Sequence, residues 1–573
     1  MVRRKLLNAA FIAAAILPLG LVACSDDTNN GGTVGAGGSG GSGGSGGNAG
    51  SGGNAGTPMT DSGTSDAGRS DAPTADSASD RVDAPPMLPD GSVPPSGVQL
   101  VPGNITVRGV TSDNYAVYSD NTAGTLNVIA LAGGTSTPIG SADDRIAVKG
   151  AAVVVWVGSS SVSQCSVWTA AHGTKALGMS SYANAAGAAV SPDGAHILYF
   201  DGVDTGRISG NLFVAGTDGT GQTQLATSVA LRNAACAPVL AFGGNAAAAA
   251  AYCVAPSTSD GGTEGGTVDA GTADAITVDA GTIDAALPEG GETDAANPDA
   301  GPAPPAIVQS YIGASWTATT LATNVEPQVA IAPTGTTVLV NAPAGLLAYP
   351  AAGGAATTID AAGGFGMFTN DGLSVIYTTP ANALKRATVV SPNPTTLAAT
   401  GIAGLRMKSP DDKWILGYAM SGGQDLSDLY LASATVAGTP TTLSTAVTAG
   451  FFGSDGFTAD STHAIYYTDI DPNAGIGNLF AVDVAGAAPV ALAMNVWLHY
   501  AGTGAKVAFN DNYNGDQNTA DIRVADTAQS AAPKLLVSLA DEDFFIAGSK
   551  DKVVYTWSYL PGSMSGLWVA PIP

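Results

Sequence analysis

Positive charge is scarce in this sequence. Its 573 residues hold 21 Lys and Arg against 47 Asp and Glu, for a formal net charge of −26. Nucleic-acid phosphates need cations to displace their counterions, so nucleic acid is not an expected partner. Histidine is rarer still, with only His172, His196, His463 and His499. None of them falls in a His-Glu-x-x-His pattern or in paired metal spacing, and there is no Walker A sequence. "GGSGG" at Gly37–Gly41 matches the Gly-x-Ser-x-Gly elbow in letters. It lacks the strand before and the helix after that this motif needs. No catalytic constellation is visible, so neither enzyme activity nor a cofactor is expected. Past the N-terminus no apolar run reaches the roughly 20 residues of a membrane-spanning helix. Apolar residues still make up 45% of the chain, enough for a sizeable core.

The N-terminus reads as an export signal. Arg3, Arg4 and Lys5 precede an apolar run from Leu6 to Leu21. A secretory signal has this order of charge and hydrophobicity. "LVAC" (Leu21–Cys24) then resembles the lipobox of bacterial lipoproteins. The resemblance implies cleavage before Cys24 and lipidation of Cys24, leaving residues 1–23 as a signal peptide. Each buried CH₂ of an acyl chain contributes about 0.8 kcal/mol, so several chains anchor stably. Ser25 after the Cys implies, by the same analogy, the outer membrane of a bacterial cell envelope. The alternative is an ordinary signal peptide with a Cys there by chance.

Two segments have little to bury. Residues 24–96 are rich in Gly, Ser and Asp and read as a disordered tether. A flexible coil of about 70 residues spans on the order of 45 Å. Residues 257–306 place an acid at every fifth position, from Glu264 through Asp299, with no Lys or Arg between. That spacing fits neither helix nor strand and predicts a solvated acidic insertion.

The remainder, residues 97–573, repeats itself. "AVSPDGAHILYF" (Ala189–Phe200) is two apolar runs around a tight turn. "MFTNDGLSVIYT" (Met367–Thr378), "MKSPDDKWILGY" (Met407–Tyr418) and "GFTADSTHAIYYTD" (Gly456–Asp469) share the plan. Each is followed by another apolar run, such as "NLFVAGTDG" (Asn211–Gly219), and a closing one, such as "PTTLA" (Pro394–Ala398). Four short strands in about 40 residues predict an all-β fold, a β-propeller of four-stranded blades. Ten units start near Ile105, Arg145, Ala188, Ala237, Gln328, Phe365, Leu405, Gly456, Val496 and Phe544. The acidic insertion falls in the fourth, between its second and third strands. The tenth unit lacks a fourth strand, and "VQLVP" (Val98–Pro102) has no unit of its own. Pairing the two would close one ring and leave no open edge. Two smaller rings are the alternative.

"SPDG" with "ILYF", followed by "NLFVAGTDG", resembles the TolB-type, WD40-like propeller repeat. The likeness is strongest over Ala189–Ala226 and Arg406–Ala493. It implies a propeller. TolB also carries an α/β domain ahead of its propeller, for which this sequence has no candidate.

Three Cys remain besides Cys24. Cys236 and Cys253 fall on the first two strands of one unit and are candidates for a cross-strand disulfide. The alternative is three buried thiols. Asp469, Asp471 and Asn473 alternate like the start of a Ca²⁺ loop, but the Gly comes late and no closing Glu follows. A solvated hairpin loop is the alternative. The anchor that the lipobox resemblance implies, the tether, the closed repeat ring and the absent catalytic constellation together point to a lipid-anchored, non-enzymatic binding or scaffold module for an envelope protein or glycan. The rivals are an envelope hydrolase or lyase with carboxylates at the ring axis, and a passive surface protein.

Overall fold

A computed structural model describes residues 95–573, apart from 159, 185–186, 206–207, 232–236, 245, 256–305, 327, 421–425, 449–455, 472–474, 487, 515–516, 530, 542 and 559–563. Every named element among the described residues is a β-strand. The strands form ten antiparallel sheets in chain order, and they are the ten blades of one propeller. We letter the strands of each blade a to d, from the axis outward.

Blade 1 shows the plan: a is Ile105–Val110, b Tyr115–Asp120, c Thr125–Ala130 and d Thr137–Ser141. Strands a of blades 2 to 7 are Arg145–Lys149, Ala188–Val190, Val239–Phe242, Val329–Ile331, Gly366–Phe368 and Gly404–Lys408. In blade 8 the described part of strand a is one bridge, Phe457 to Ala464, beside a three-stranded sheet, and residues 449–455 ahead of it lie outside the described residues. Blades 9 and 10 begin at His499–Ala501 and Phe544–Ile546. These starts lie within three residues of the expected ones. In blade 4, strand b ends at Tyr252 and strand c begins at Ala306, and the acidic segment expected between them lies outside the described residues.

Period-two alternation splits each strand between two neighbours. In strand b of blade 2, Val153 and Val155 join the cluster shared with blade 1. Val154 and Trp156 join the cluster shared with blade 3. The apolar core is accordingly divided into ten clusters, one at each seam between blades. One of them packs Ile105, Val107 and Tyr118 of blade 1 against Val554 and Leu567 of blade 10. That seam decides for a single ring. Val98–Pro102 pairs antiparallel with Gly566–Pro571 and serves as the missing strand d of blade 10.

The a–b turns repeat one piece of chemistry. In blades 3, 6, 7 and 8 a hydroxyl (Ser191, Thr369, Ser409, Thr458) donates to the Asp two residues on, at 2.6 to 2.7 Å. The same carboxylates accept the N–H of Ala195, Leu373, Lys413 and Thr462. Each of the ten turns has one residue at φ between 58° and 74°, Gly194 and Gly372 among them. Glycine adopts that conformation without steric penalty. In blades 1, 7, 8 and 10 Asn114, Asp412, Ser461 and Lys550 adopt it instead. Adjacent turns touch. Asn370 N–H donates to Asp412 Oδ2 at 2.6 Å, and Ser549 N–H to Asn114 Oδ1 at 3.2 Å across the closing seam.

Candidate functional site

The axis of the ring is lined by the a strands. Those named hold no carboxylate, yet they carry Arg108, Arg145, Lys149, Arg406 and Lys408. Five of the chain's 21 cationic side chains thus stand on its innermost strands.

Two of these are placed by an irregularity. In the named a–b pairings the register is unbroken except in blades 1 and 7. It skips from Val107 to Gly109 in blade 1 and from Leu405 to Met407 in blade 7. The residue that the register skips is Arg108 in one and Arg406 in the other. A bulge takes its residue out of the alternation that would send it into a seam, and so re-aims the side chain. Blades 1 and 7 lie four apart by the shorter way around the ring, so the two arginines come from opposite parts of its wall.

Arg108 keeps solvent access. The surrounding protein still removes enough water to lower its pKa, against the opposing pull of Asp543 and Asp143. Its Nη2 donates to the carbonyl of Asp144 at 3.5 Å, in the linker entering blade 2. Arg145 Nη1 donates to Ala183 O at 3.2 Å in the next linker. Lys149, at the far end of the same strand, is lowered by desolvation alone. No carboxylate pairs with it among the described residues. Lys408 is tied into the turns, to Asp412 at 2.5 Å and to Asn370 Oδ1.

Arg406 borders a small cavity, about 20 Å³, lined by residues of blades 7, 8 and 9. That volume holds about one water. Met407, Gly456, Tyr467 and His499 also line it. Desolvation lowers the pKa of Arg406, with Tyr418 opposing. Buried His499 Nδ1 and Tyr467 Oη are hydrogen-bonded at 2.9 Å. Trp497 stacks on Tyr513, centroids 5.6 Å apart and planes 19° apart, both residues partly exposed.

Carboxylates with raised pKa lie on blade 9, on strands b and d. Asp511 is raised by desolvation although Arg523 Nε donates to it at 2.8 Å. Asp541 is raised by the same cause, with Ser558 Oγ donating to it at 2.5 Å.

The residues singled out from the sequence are distributed as follows. Cys24, Cys236 and Asn473 lie outside the described residues. Cys253 is buried, one residue past the end of its strand, and is disulfide-bonded. Cys165 is a free, buried thiol, with its pKa pushed up to about 12 by burial and by Asp201. Asp469 accepts from Asn478 Nδ2 at 2.9 Å and from Thr468 Oγ1 at 3.0 Å. Among the described residues no group of three His, Cys, Asp or Glu is placed to hold a metal ion. The arginine pair was missed. Its signal is a cation inside an apolar run, "TVRGV" and "GLRMK", out of step with the alternation around it.

No family model and no curated protein matches this chain. Solved structures that resemble it include dipeptidyl peptidase 4 of Porphyromonas gingivalis, at 12% identity and a TM-score of 0.40. That alignment covers 78% of this chain and 60% of the peptidase. An oligogalacturonate lyase from Vibrio parahaemolyticus aligns at 9% identity and a TM-score of 0.32, over 82% of this chain and 99% of the lyase. A putative TolB from Agrobacterium tumefaciens aligns at 17% identity and a TM-score of 0.22, over 45% and 94%. At these values the likeness reaches no further than propeller architecture.

Proposed function

We propose that this chain is a lipid-anchored binding module of the bacterial cell envelope, which captures a protein or glycan partner at the axis of its ring. One observation carries the reading: where the innermost strands are bulged, in blades 1 and 7, the bulged residue is an arginine. The "LVAC" leader and the tether support the address. Cross-linking of the tagged protein in intact envelopes, followed by purification, tests it. A partner recovered reproducibly, and lost when the ring is deleted but the tether kept, supports the reading. Equal recovery with the tether alone removes it.

A hydrolase or lyase reading is favoured by one observation, the raised carboxylates Asp511 and Asp541. It predicts turnover of an envelope polymer that Asp541→Asn abolishes while the fold stays intact.

A further inference from the structure

We propose that the loops of blades 6 and 7 that carry Leu373, Val390 and Val436 rest on the lipid bilayer, with these three side chains in its headgroup layer. This deepens the lipid-anchored reading and rests on it.

Strands alternate in direction within a blade, so its a–b turn and its c–d loop leave the same end of the sheet. In blade 6 the a–b turn joins Gly366–Phe368 to Ser374–Thr378, and the c–d loop joins Leu384–Thr388 to Thr395–Ala398. Leu373, 62% exposed, is in the first, and Val390, 85% exposed, is in the second. Val389 N–H donates to Leu373 O at 3.0 Å, which holds the two loops side by side. Val436, 68% exposed, is in the c–d loop of blade 7, between Leu426–Ser433 and Thr441–Thr448. That loop leans on blade 6. Gly438 N–H donates to Leu397 O at 2.8 Å, and Arg386 Nη1 donates to Ala434 O at 3.2 Å. Three neighbouring segments thus each present an exposed apolar side chain at one end of two adjacent blades. The other exposed large apolar residues among those described, Val98 apart, are spread over blades 2, 3, 4 and 8.

Two further observations point to a membrane as what covers them. The first is where the preceding chain joins the ring. Val98 opens strand d of blade 10 and pairs with Val569, near the end of strand c, so the chain enters at this same end. A flexible tether of about 70 residues spans on the order of 45 Å. It makes the contact intramolecular, so a patch too small to hold a free protein at a bilayer still orients an anchored one. The second is charge. From Gly366 to Thr448, blades 6 and 7 hold five Lys and Arg against five Asp, a net charge of zero in a chain that carries −26. An anionic lipid surface repels acidic protein within a Debye length, about 8–10 Å at physiological salt. This sector is spared that repulsion. The acidic segment of blade 4 follows strand b and precedes strand c, so it joins the ring at the opposite end.

The lipidated full-length protein, reconstituted in vesicles of phosphatidylethanolamine and phosphatidylglycerol, tests the proposal. Val390→Cys, Val436→Cys and Val157→Cys each receive a nitrobenzoxadiazole probe, while Cys165 is buried and stays unlabelled in the folded protein. Val157 follows strand b of blade 2, at the other end of the blades, and is the control. Nitroxide-labelled lipid should quench the probes at 390 and 436 and leave the one at 157 as in water. Leu373→Asp should shift the bound-to-free ratio read from the probe at 390 by roughly 10-fold, the partition effect of burying one such side chain. Should a labelled variant lose its melting transition, Leu373→Cys carries the probe instead. Equal quenching at all three positions, none at 390 and 436, or quenching unmoved by Leu373→Asp overturns the proposal. If the protein floats with the vesicles and these probes stay unquenched, this proposal alone fails and the anchor stands. If the protein does not float, both fail.

Discussion

Removing Val98–Pro102 should unseal the ring, and the structure sets the size of the effect. This strand supplies the outer edge of blade 10 although it precedes blade 1 in the chain. Three hydrogen bonds around it are explicit. Tyr555 Oη donates to Ser96 O at 2.7 Å, Gln99 Nε2 to Ser565 O at 2.9 Å, and Gly103 N–H to Ser565 O at 2.8 Å. At roughly 1 kcal/mol net each, they contribute about 3 kcal/mol. Leu100 and Val101 are partly buried against the closing seam. At about half the value of full burial they add roughly 2 kcal/mol together. A loss of about 5 kcal/mol is a large share of a typical folding free energy. For a domain of this size it corresponds to a fall of roughly 5–10 °C in melting temperature. Differential scanning fluorimetry on a variant lacking residues 95–102 measures it. The exposed edge of Gly566–Pro571 should also promote self-association, visible by size-exclusion chromatography. A peptide of residues 95–103 added in trans should restore part of the loss by strand addition. A melting temperature within 1–2 °C of the parent, with no change in elution, would refute the closure argument.

Cys24→Ala should move the protein from the membrane pellet to the soluble fraction of its native cells; retention in the pellet would refute lipidation at that residue. In the same variant, thiol titration under denaturing, non-reducing conditions should find one reactive thiol, Cys165. Three would refute a Cys236–Cys253 bridge. Asp541→Asn should be as stable as the parent near pH 4 and more stable at neutral pH, by on the order of 1 kcal/mol. The sign follows from a folded pKa above the unfolded one: the parent's stability falls as pH rises between the two. A variant less stable than the parent at pH 7 would show that the charged form of Asp541 is favoured by the fold.

The blades were legible because their signal is local. Alternation plus a tight turn marks each a–b hairpin, and the a strands begin within three residues of the expected starts. The closing strand was legible by subtraction, one strand over at the start and one short at the end. Ala247–Ala251 would favour a helix in isolation, and its place as strand b of blade 4 comes from context. All five alanines are buried, Ala247, Ala249 and Ala251 in the seam with blade 5 and Ala248 and Ala250 in the seam with blade 3. A Cβ on Gly243 would stand 2.2 Å from Ala332 O. Small side chains fit there and large ones do not. The bulges were not legible in the same way. Whether Arg108 is paired depends on the register between two strands, and letters alone do not fix which residue is skipped.

The inner cations separate a structural account of the channel from a functional one. Lys149 is the sharpest case: it is partly buried, burial lowers its pKa, and no opposing charge compensates among the described residues. An enclosed ammonium without an ionic partner destabilises a fold, and an apolar residue of similar length relieves the cost. Five other a strands manage with uncharged side chains only. Stability therefore gives no reason for this lysine, whereas the proposed binding role supplies one. Lys149→Met should leave the ligand-free protein as stable as the parent or raise its melting temperature by roughly 1–2 °C. It should also remove a pH term. The folded pKa lies below the unfolded one, so the parent gains stability as pH rises from the first to the second, and the variant does not. Melting curves at pH 7 and pH 10 measure both effects. A Lys149→Met protein several degrees less stable at pH 7 would make this lysine part of the scaffold, and the channel's charge a structural device.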